Sequence, residues 1–169
     1  MIRMAGALTL VVCTGCAPAD REVRAAFPTA GVAAPWRLAG EVWTGSFAEA
    51  APGLGDDAEA WARHTPTRVW LAKYTHEDHA ERTLTVRCFA FESVEYARAA
   101  YEVFHPVLAK PLHSGDVGCW TEIGVLFRRG RLVFEIFGND ASWNSQVQSA
   151  VLAAILVKRL LPGVPDNPQ

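Results

Sequence analysis

The thiols of the chain fall into two pairs, Cys13 with Cys16 near the N-terminus and Cys88 with Cys119 further along. In an oxidising compartment, a pair such as Cys88 and Cys119 often forms a disulfide, which would stabilise the fold by about 3–4 kcal/mol. The alternative is two separate buried thiols that pack as small apolar residues. These two positions lack the Cys-x-x-Cys spacing of redox enzymes, which disfavours a catalytic role.

A short polar segment carries the residues that could bind a metal ion. His76 and His79 stand among acidic residues, at Glu77, Asp78 and Glu81. Imidazole and carboxylate groups suit zinc or copper, and a turn can bring two histidines together. A metal site needs three or four rigidly held ligands, so the sequence favours the alternative of a solvated turn. No metal or other cofactor is therefore predicted.

The sequence carries no other recognisable catalytic signature. It has no Gly-x-Ser-x-Gly elbow, and the glycines at 53 and 55 are not followed by the lysine and hydroxyl of a P-loop. The sequence therefore favours a protein that binds without catalysis, with a hydrolase or metal-dependent enzyme built on His76 and His79 as the alternative. A net charge of −2 argues against a dedicated nucleic-acid binder, which is usually basic.

Two further groups of side chains could form a contact surface. Arg128, Arg129 and Arg131 crowd the tip of a predicted hairpin, where they could contact anionic lipid headgroups or an acidic partner. The alternative is a charged turn that keeps the hairpin tip soluble. Six tryptophans could line a groove for a glycan or a lipid, or serve as packing residues. They are Trp36, Trp43, Trp61, Trp70, Trp120 and Trp143.

The N-terminal residues have the features of a secretion signal. Arg3 precedes an apolar run over residues 4–12, which is too short to span a bilayer. The next four residues, CTGC, resemble the lipobox of bacterial lipoproteins, although the first cysteine replaces the usual aliphatic residue. The resemblance implies that residues 1–15 are a cleaved signal peptide and that Cys16 is lipidated. The alternatives are an ordinary cleaved signal or an uncleaved N-terminal anchor.

The same resemblance implies a location. In Gram-negative sorting, an alanine such as Ala17 after the lipidated cysteine does not retain a lipoprotein in the inner membrane. We therefore expect a lipid-anchored protein of the bacterial cell envelope, at the outer membrane and facing the periplasm. Residues 16–35 contain three prolines and many alanines, which predicts a flexible tether. The expected partners are the membrane, through the lipid, and an envelope protein or a small ligand.

A β-hairpin from Trp120 to Phe137 is the strongest structural signal in the sequence. Large apolar residues alternate with other residues along both predicted strands. A two-residue turn at Arg129-Gly130 would place six of them on one face, where they should be buried together. These six residues are Ile123, Val125, Phe127, Leu132, Phe134 and Ile136.

The remaining patterns place strands and helices around this hairpin. Strands are predicted at 36–44, 67–75 and 82–91, and helices at 46–51, about 57–63, about 93–108 and about 140–161. This order predicts a single α+β domain over residues 36–162, with a mainly antiparallel sheet of about five strands and helices packed on one face. Residues 163–169 are expected to be a disordered tail.

The domain also resembles an uncharacterised family of secreted bacterial α+β proteins. The likeness covers roughly residues 36–162, and no catalytic residues are established for that family. None can therefore be transferred to this chain. The residues that carry the likeness are Tyr74, Leu84-Thr85-Val86, Phe91, Ser93, Gly115-Asp116-Val117-Gly118, Phe127, Gly130-Arg131 and Leu161-Pro162.

Overall fold

The structure, a computed structural model, describes residues 20–29, 31–139 and 143–160. The predicted signal peptide, Cys16 and the predicted tail at 163–169 lie outside these residues. Within the described ranges, no helix combines the length and the apolar character that crossing a membrane requires.

The described residues form seven strands and five α-helices. The strands are β1 (Trp36–Leu38), β2 (Trp43–Gly45), β3 (Arg68–His76), β4 (Thr83–Ala90), β5 (Val117–Trp120), β6 (Gly124–Arg129) and β7 (Leu132–Gly138). The helices are α1 (Asp20–Ala26), α2 (Phe47–Leu54), α3 (Ala58–Ala62), α4 (Val94–Phe104) and α5 (Trp143–Leu160), with a 3₁₀ turn at Gly55–Asp57. The strand order is β1-β3-β4-β7-β6-β5, and β2 pairs with β3.

All strand pairings are antiparallel, which confirms the predicted α+β class. The sheet has seven strands rather than about five. The predicted first strand is interrupted between β1 and β2, where Gly40 has a φ of +86°, a left-handed conformation that favours glycine. The other additional strand is β5, of which only Trp120 lies within a predicted strand, as the first residue of the predicted hairpin.

The central hairpin forms with a register two residues from the predicted one. Phe127 pairs with Phe134, and Arg129 pairs with Leu132, so that the turn residues are Gly130 and Arg131. Gly130 has a φ of +54°, which suits the first central position of a tight hairpin turn. A shift of two residues keeps every side chain on its predicted face. Five of the six predicted residues are therefore buried together, but Ile123 precedes β6 and is 39% exposed.

Helices pack on both faces of the sheet, and the prediction of helices on one face is wrong. On β3, Trp70 and Tyr74 point to the face that α1 and α5 cover, the α5 face. Val69 points to the opposite face, the α4 face, which α2, α3 and α4 cover in part. The central strands carry apolar residues on both faces, so a single layer of helices would leave one apolar face in water.

The described part of the predicted tether packs against the domain. In α1, Val23 is fully buried, and Phe27 after it is 2% exposed. The Trp70 indole Nε1 donates a hydrogen bond of 2.8 Å to Asp20 Oδ1, and the Tyr74 hydroxyl donates one of 3.1 Å to the Pro28 carbonyl. The prediction of a flexible tether over 16–35 is therefore wrong for residues 20–29 and 31–35. Because this segment is rich in proline and alanine, its sequence did not indicate the short amphipathic helix α1.

Candidate functional site

The two cysteines of the domain are free thiols that lie far apart. Cys88 on β4 points to the α5 face, whereas Cys119 on β5 points to the α4 face. Strands β7 and β6 lie between them, so three strand spacings separate the two by about 14 Å, twice the Cα separation that a disulfide tolerates. The predicted disulfide is therefore wrong. Burial raises the pKa of both thiols, which keeps them protonated.

The two histidines lie near each other, at the end of β3 and in the turn that follows it. The ring centroids of His76 and His79 are 5.1 Å apart. His76 Nδ1 accepts a hydrogen bond from the Asp78 backbone N–H, and His79 Nδ1 lies 3.4 Å from Glu81 Oε1. Among the described residues, no group of three or more histidine, cysteine, aspartate or glutamate side chains could hold a metal ion. The two imidazoles therefore have contacts typical of a polar turn.

The five tryptophans whose side chains are described are divided between the two faces of the sheet and its surface, and do not line a common groove. Trp36 and Trp70 are buried in the core on the α5 face, and Trp61 is buried on the α4 face. The Trp61 ring stacks on two phenylalanine rings, Phe89 and Phe104, with centroids 3.8 Å apart in each case. These three tryptophans are packing residues. Trp43 is 39% exposed and Trp120 is half-buried, and the side chain of Trp143 lies outside the description.

The arginines at the hairpin tip are held by one carboxylate. Arg128 Nη1 donates to Asp116 Oδ2 at 2.9 Å, and Arg129 Nη1 donates to Asp116 Oδ1 at 3.1 Å. The backbone N–H of Gly130 donates to the same carboxylate at 2.7 Å, and Arg131 Nη1 donates to the Glu92 carbonyl at 2.8 Å. The side chains of Arg128 and Arg129 are only 13% and 14% exposed. Their charges therefore interact mainly with Asp116 within the tip, and little of either guanidinium group is accessible to a partner.

Three guanidinium nitrogens at this tip have no hydrogen-bond partner in the described part of the chain. They are Nε of Arg128, Nε of Arg129 and Nη2 of Arg131. The tip therefore depends on Asp116, because loss of that carboxylate would leave neighbouring half-buried cations uncompensated. Contact of these arginines with a lipid or an acidic partner stays a prediction.

A second charged cluster, which the sequence did not reveal, lies on the α4 face. Arg87 Nη1 donates to Asp57 Oδ2 at 2.7 Å and to Glu135 Oε2 at 3.1 Å. The guanidinium carbon lies 4.7 Å from the centroid of the Phe137 ring, and Nη2 donates to the Leu54 carbonyl at 3.4 Å. In the sequence, Arg87 is visible only as a break in the apolar pattern of its strand. Its partners depend on the pairing of β4 with β7, which places Glu135 directly opposite.

Burial raises the pKa of the Glu135 carboxyl above the ordinary glutamate value. The Arg87 guanidinium acts in the opposite direction by stabilising the carboxylate, but it does not outweigh the loss of hydration. Folding therefore makes the Glu135 carboxyl group easier to protonate, and the hydrogen bond from Arg87 holds this group in place.

This cluster borders a part of the α4 face whose side chains the described helices leave partly or fully exposed. Val69, Phe89 and Val133 form one row across β3, β4 and β7, and all three are fully buried. A second row lies four residues further along the same strands and consists of Lys73, Thr85 and Phe137. In this row, Lys73 is exposed and the other two residues are half-buried. We call this second row, together with Arg87 and Glu135, the open half of the α4 face.

Replacement of Asp116 by asparagine should destabilise the protein by about 1–3 kcal/mol, because it leaves the Arg128 and Arg129 guanidinium groups without a counter-charge. Urea denaturation measures the change in the free energy of unfolding. The control is Glu59→Gln, which disrupts an ion pair with Arg63 whose side chains are 82% and 72% exposed, and which should cost less than about 0.5 kcal/mol. Equal effects of the two substitutions would contradict the role of Asp116.

Replacement of Glu135 by glutamine should change how stability depends on pH. Because the folded state holds the Glu135 proton to a higher pH than the unfolded chain does, ionisation of this group costs folding free energy as the pH rises above the ordinary value of 4.5. The stability of the wild type relative to Glu135→Gln should therefore fall as the pH rises above the ordinary glutamate value of 4.5. Denaturation at a series of pH values measures this difference, and a rise would show that the Arg87 contact dominates instead.

Comparison with known proteins adds no assignment to this geometry. No protein family model matches the chain, and no curated protein shows significant similarity to it. The likeness to secreted bacterial proteins noted above therefore stays a prediction.

Proposed function

We propose that this chain is a lipid-anchored protein of the bacterial cell envelope that binds another envelope protein without catalysing a reaction. The open half of the α4 face carries this proposal, as the binding surface. The lipobox-like residues before Cys16 support the anchor, and the position after it, Ala17, favours the outer membrane on its periplasmic side.

The position of α1 supports a domain held close to the membrane. Three residues lie between Cys16 and Asp20. The four steps from one to the other span at most about 3.6 Å each, so a lipid on Cys16 would lie within about 14 Å of the start of α1. The ordered contacts from Asp20 onward leave no long spacer. A domain tethered this closely is suited to partners at the membrane surface.

The open half has the mixed character of protein-binding surfaces. It combines the half-buried Phe137 ring with the exposed ammonium group of Lys73 and with the Arg87–Glu135 ion pair. Such mixtures of aromatic, arginine and polar groups are typical of interfaces between proteins that also exist separately. The Arg87 contacts fix the charged groups before any partner arrives, which lowers the entropic cost of binding.

The shape of this surface favours a protein over a small ligand. Small-molecule sites are usually concave and enclose most of the ligand. The open half instead extends across β3, β4 and β7, whose paired residues present their side chains side by side. A broad surface of this kind offers area for many weak contacts.

Site-specific photo-crosslinking in cells tests the binding surface. A photoreactive residue at Thr85 should give a discrete protein adduct, and one at Arg63, an exposed residue of the helical layer, should not. When Lys73→Glu is added to the variant with the photoreactive residue at Thr85, the adduct should disappear. Adding Glu102→Lys, on α4, should leave the adduct unchanged. Adducts of equal intensity at both positions, or none at Thr85, would exclude the open half as a protein-binding surface.

The anchor is tested by incorporation of radiolabelled palmitate. The wild-type chain should be labelled and should fractionate with membranes, whereas Cys16→Ala should lose the label and be released. Cys13→Ala is the matched control, because it removes a neighbouring thiol but leaves the lipidated position. An unlabelled wild type, together with unchanged fractionation of Cys16→Ala, would exclude lipid anchoring.

A further inference from the structure

A turn after α4 exposes two large aliphatic side chains almost completely. Val107 is 96% exposed and Leu108 is 94% exposed. They occupy the two central positions of a turn that is closed by a hydrogen bond of 3.0 Å from the Ala109 N–H to the Pro106 carbonyl. Polar residues and glycine usually occupy such positions. Adjacent aliphatic residues at an exposed tip are the kind of surface that marks an interaction site.

The turn is rigidly attached to the domain on both sides. Before it, the Phe104 ring stacks on the buried Trp61 ring at 3.8 Å. After it, the chain runs along the edge of β5, where the Trp120 N–H donates to the Lys110 carbonyl and the Leu112 N–H donates to the Gly118 carbonyl, each at 2.9 Å. The contacts on both sides therefore hold the turn at the surface, with the two aliphatic side chains exposed to solvent.

The chain segment that contains the turn carries one lysine and no carboxylate. Residues 103–115 contain no acidic residue, and their ionisable groups are Lys110, His105 and His113. The acidic residues that flank this segment are already paired: Glu102 accepts a hydrogen bond from Arg98, and Asp116 holds the hairpin arginines. Aliphatic residues beside a lysine, on a segment without carboxylates, match the interface of a bilayer that contains anionic lipids.

We propose that the Val107–Leu108 turn inserts into the headgroup region of an anionic phospholipid bilayer. This inference rests on the proposed envelope location, which keeps the domain near lipid. It adds a contact that the lipid on Cys16 does not supply. The anchored side begins at α1, where Asp20 contacts Thr44 of β2 and Trp70 of β3, whereas the turn adjoins β5 at the opposite edge of the sheet. Two contacts at opposite edges would hold the sheet in a fixed orientation on the membrane.

An environment-sensitive fluorophore on Leu108→Cys tests this contact in the mature chain that the lipobox implies, residues 16–169, which lacks the apolar run at residues 4–12. The background is Cys16→Ala, so the protein has no lipid anchor, and the remaining thiols, Cys88 and Cys119, are fully buried. Vesicles of phosphatidylethanolamine with phosphatidylglycerol should shift the emission to the blue, and vesicles of phosphatidylcholine alone should do so less. The matched control carries the fluorophore on Tyr96→Cys, a 53% exposed residue at the other end of α4, and should not shift.

Vesicle co-sedimentation of charged variants in the same background is the second measurement. Val107→Asp combined with Leu108→Asp should weaken partitioning at least about tenfold, because it removes two aliphatic side chains from the lipid and adds repulsion. Tyr96→Asp should leave partitioning unchanged. An unshifted Leu108 probe, an equal shift at both probes, or equal partitioning of the variants would overturn the membrane contact. Because the test uses no anchored protein, its failure is distinct from a failure of palmitate labelling at Cys16.

Discussion

The pairing of β4 between β3 and β7 is the interaction on which the rest of the structure depends. β4 pairs with β3 over eight positions and with β7 over seven. On it, Val86 and Cys88 are fully buried on one face, and Phe89 is fully buried on the other. A strand that is apolar on both faces is stable in water only when both faces are covered, and this requirement accounts for helical layers on the two sides of the sheet.

The same strand explains why one half of the α4 face stays open. Phe89 offers apolar surface that α3 and α4 bury, with Trp61 stacked on its ring. Towards the other end of β4, the side chains on this face are Arg87 and Thr85, which give a helix little to bury. Arg87 instead uses its guanidinium group to join Asp57 and Glu135, so the boundary of the core is also a line of fixed charges. The open surface is thus a consequence of the strand pattern.

The sequence indicated the features that depend on local patterns, and it did not indicate those that depend on contacts between distant parts of the chain. Strand alternation placed Phe127 and Phe134 on one buried face, and the two-residue error in register did no harm, because the side-chain period along a strand is also two. The cysteine pair was misjudged because its separation depends on two strands that lie between in space but follow Cys88 in the chain. The Arg87 cluster depends likewise on which strand lies opposite. Local patterns specify faces, and only long-range pairing specifies neighbours.

The packing of α1 changes what a lipid anchor would mean for this protein. A flexible tether would let the domain take any orientation, and its binding surface would meet partners at random angles. With Asp20 bonded to Trp70, little free chain separates the sheet from Cys16, so the anchor would limit rotation as well as distance. A second contact at the Val107–Leu108 turn would remove much of the remaining freedom. The open half of the α4 face would then meet a partner on the same membrane in one orientation, which favours recognition through many weak contacts over a few strong ones.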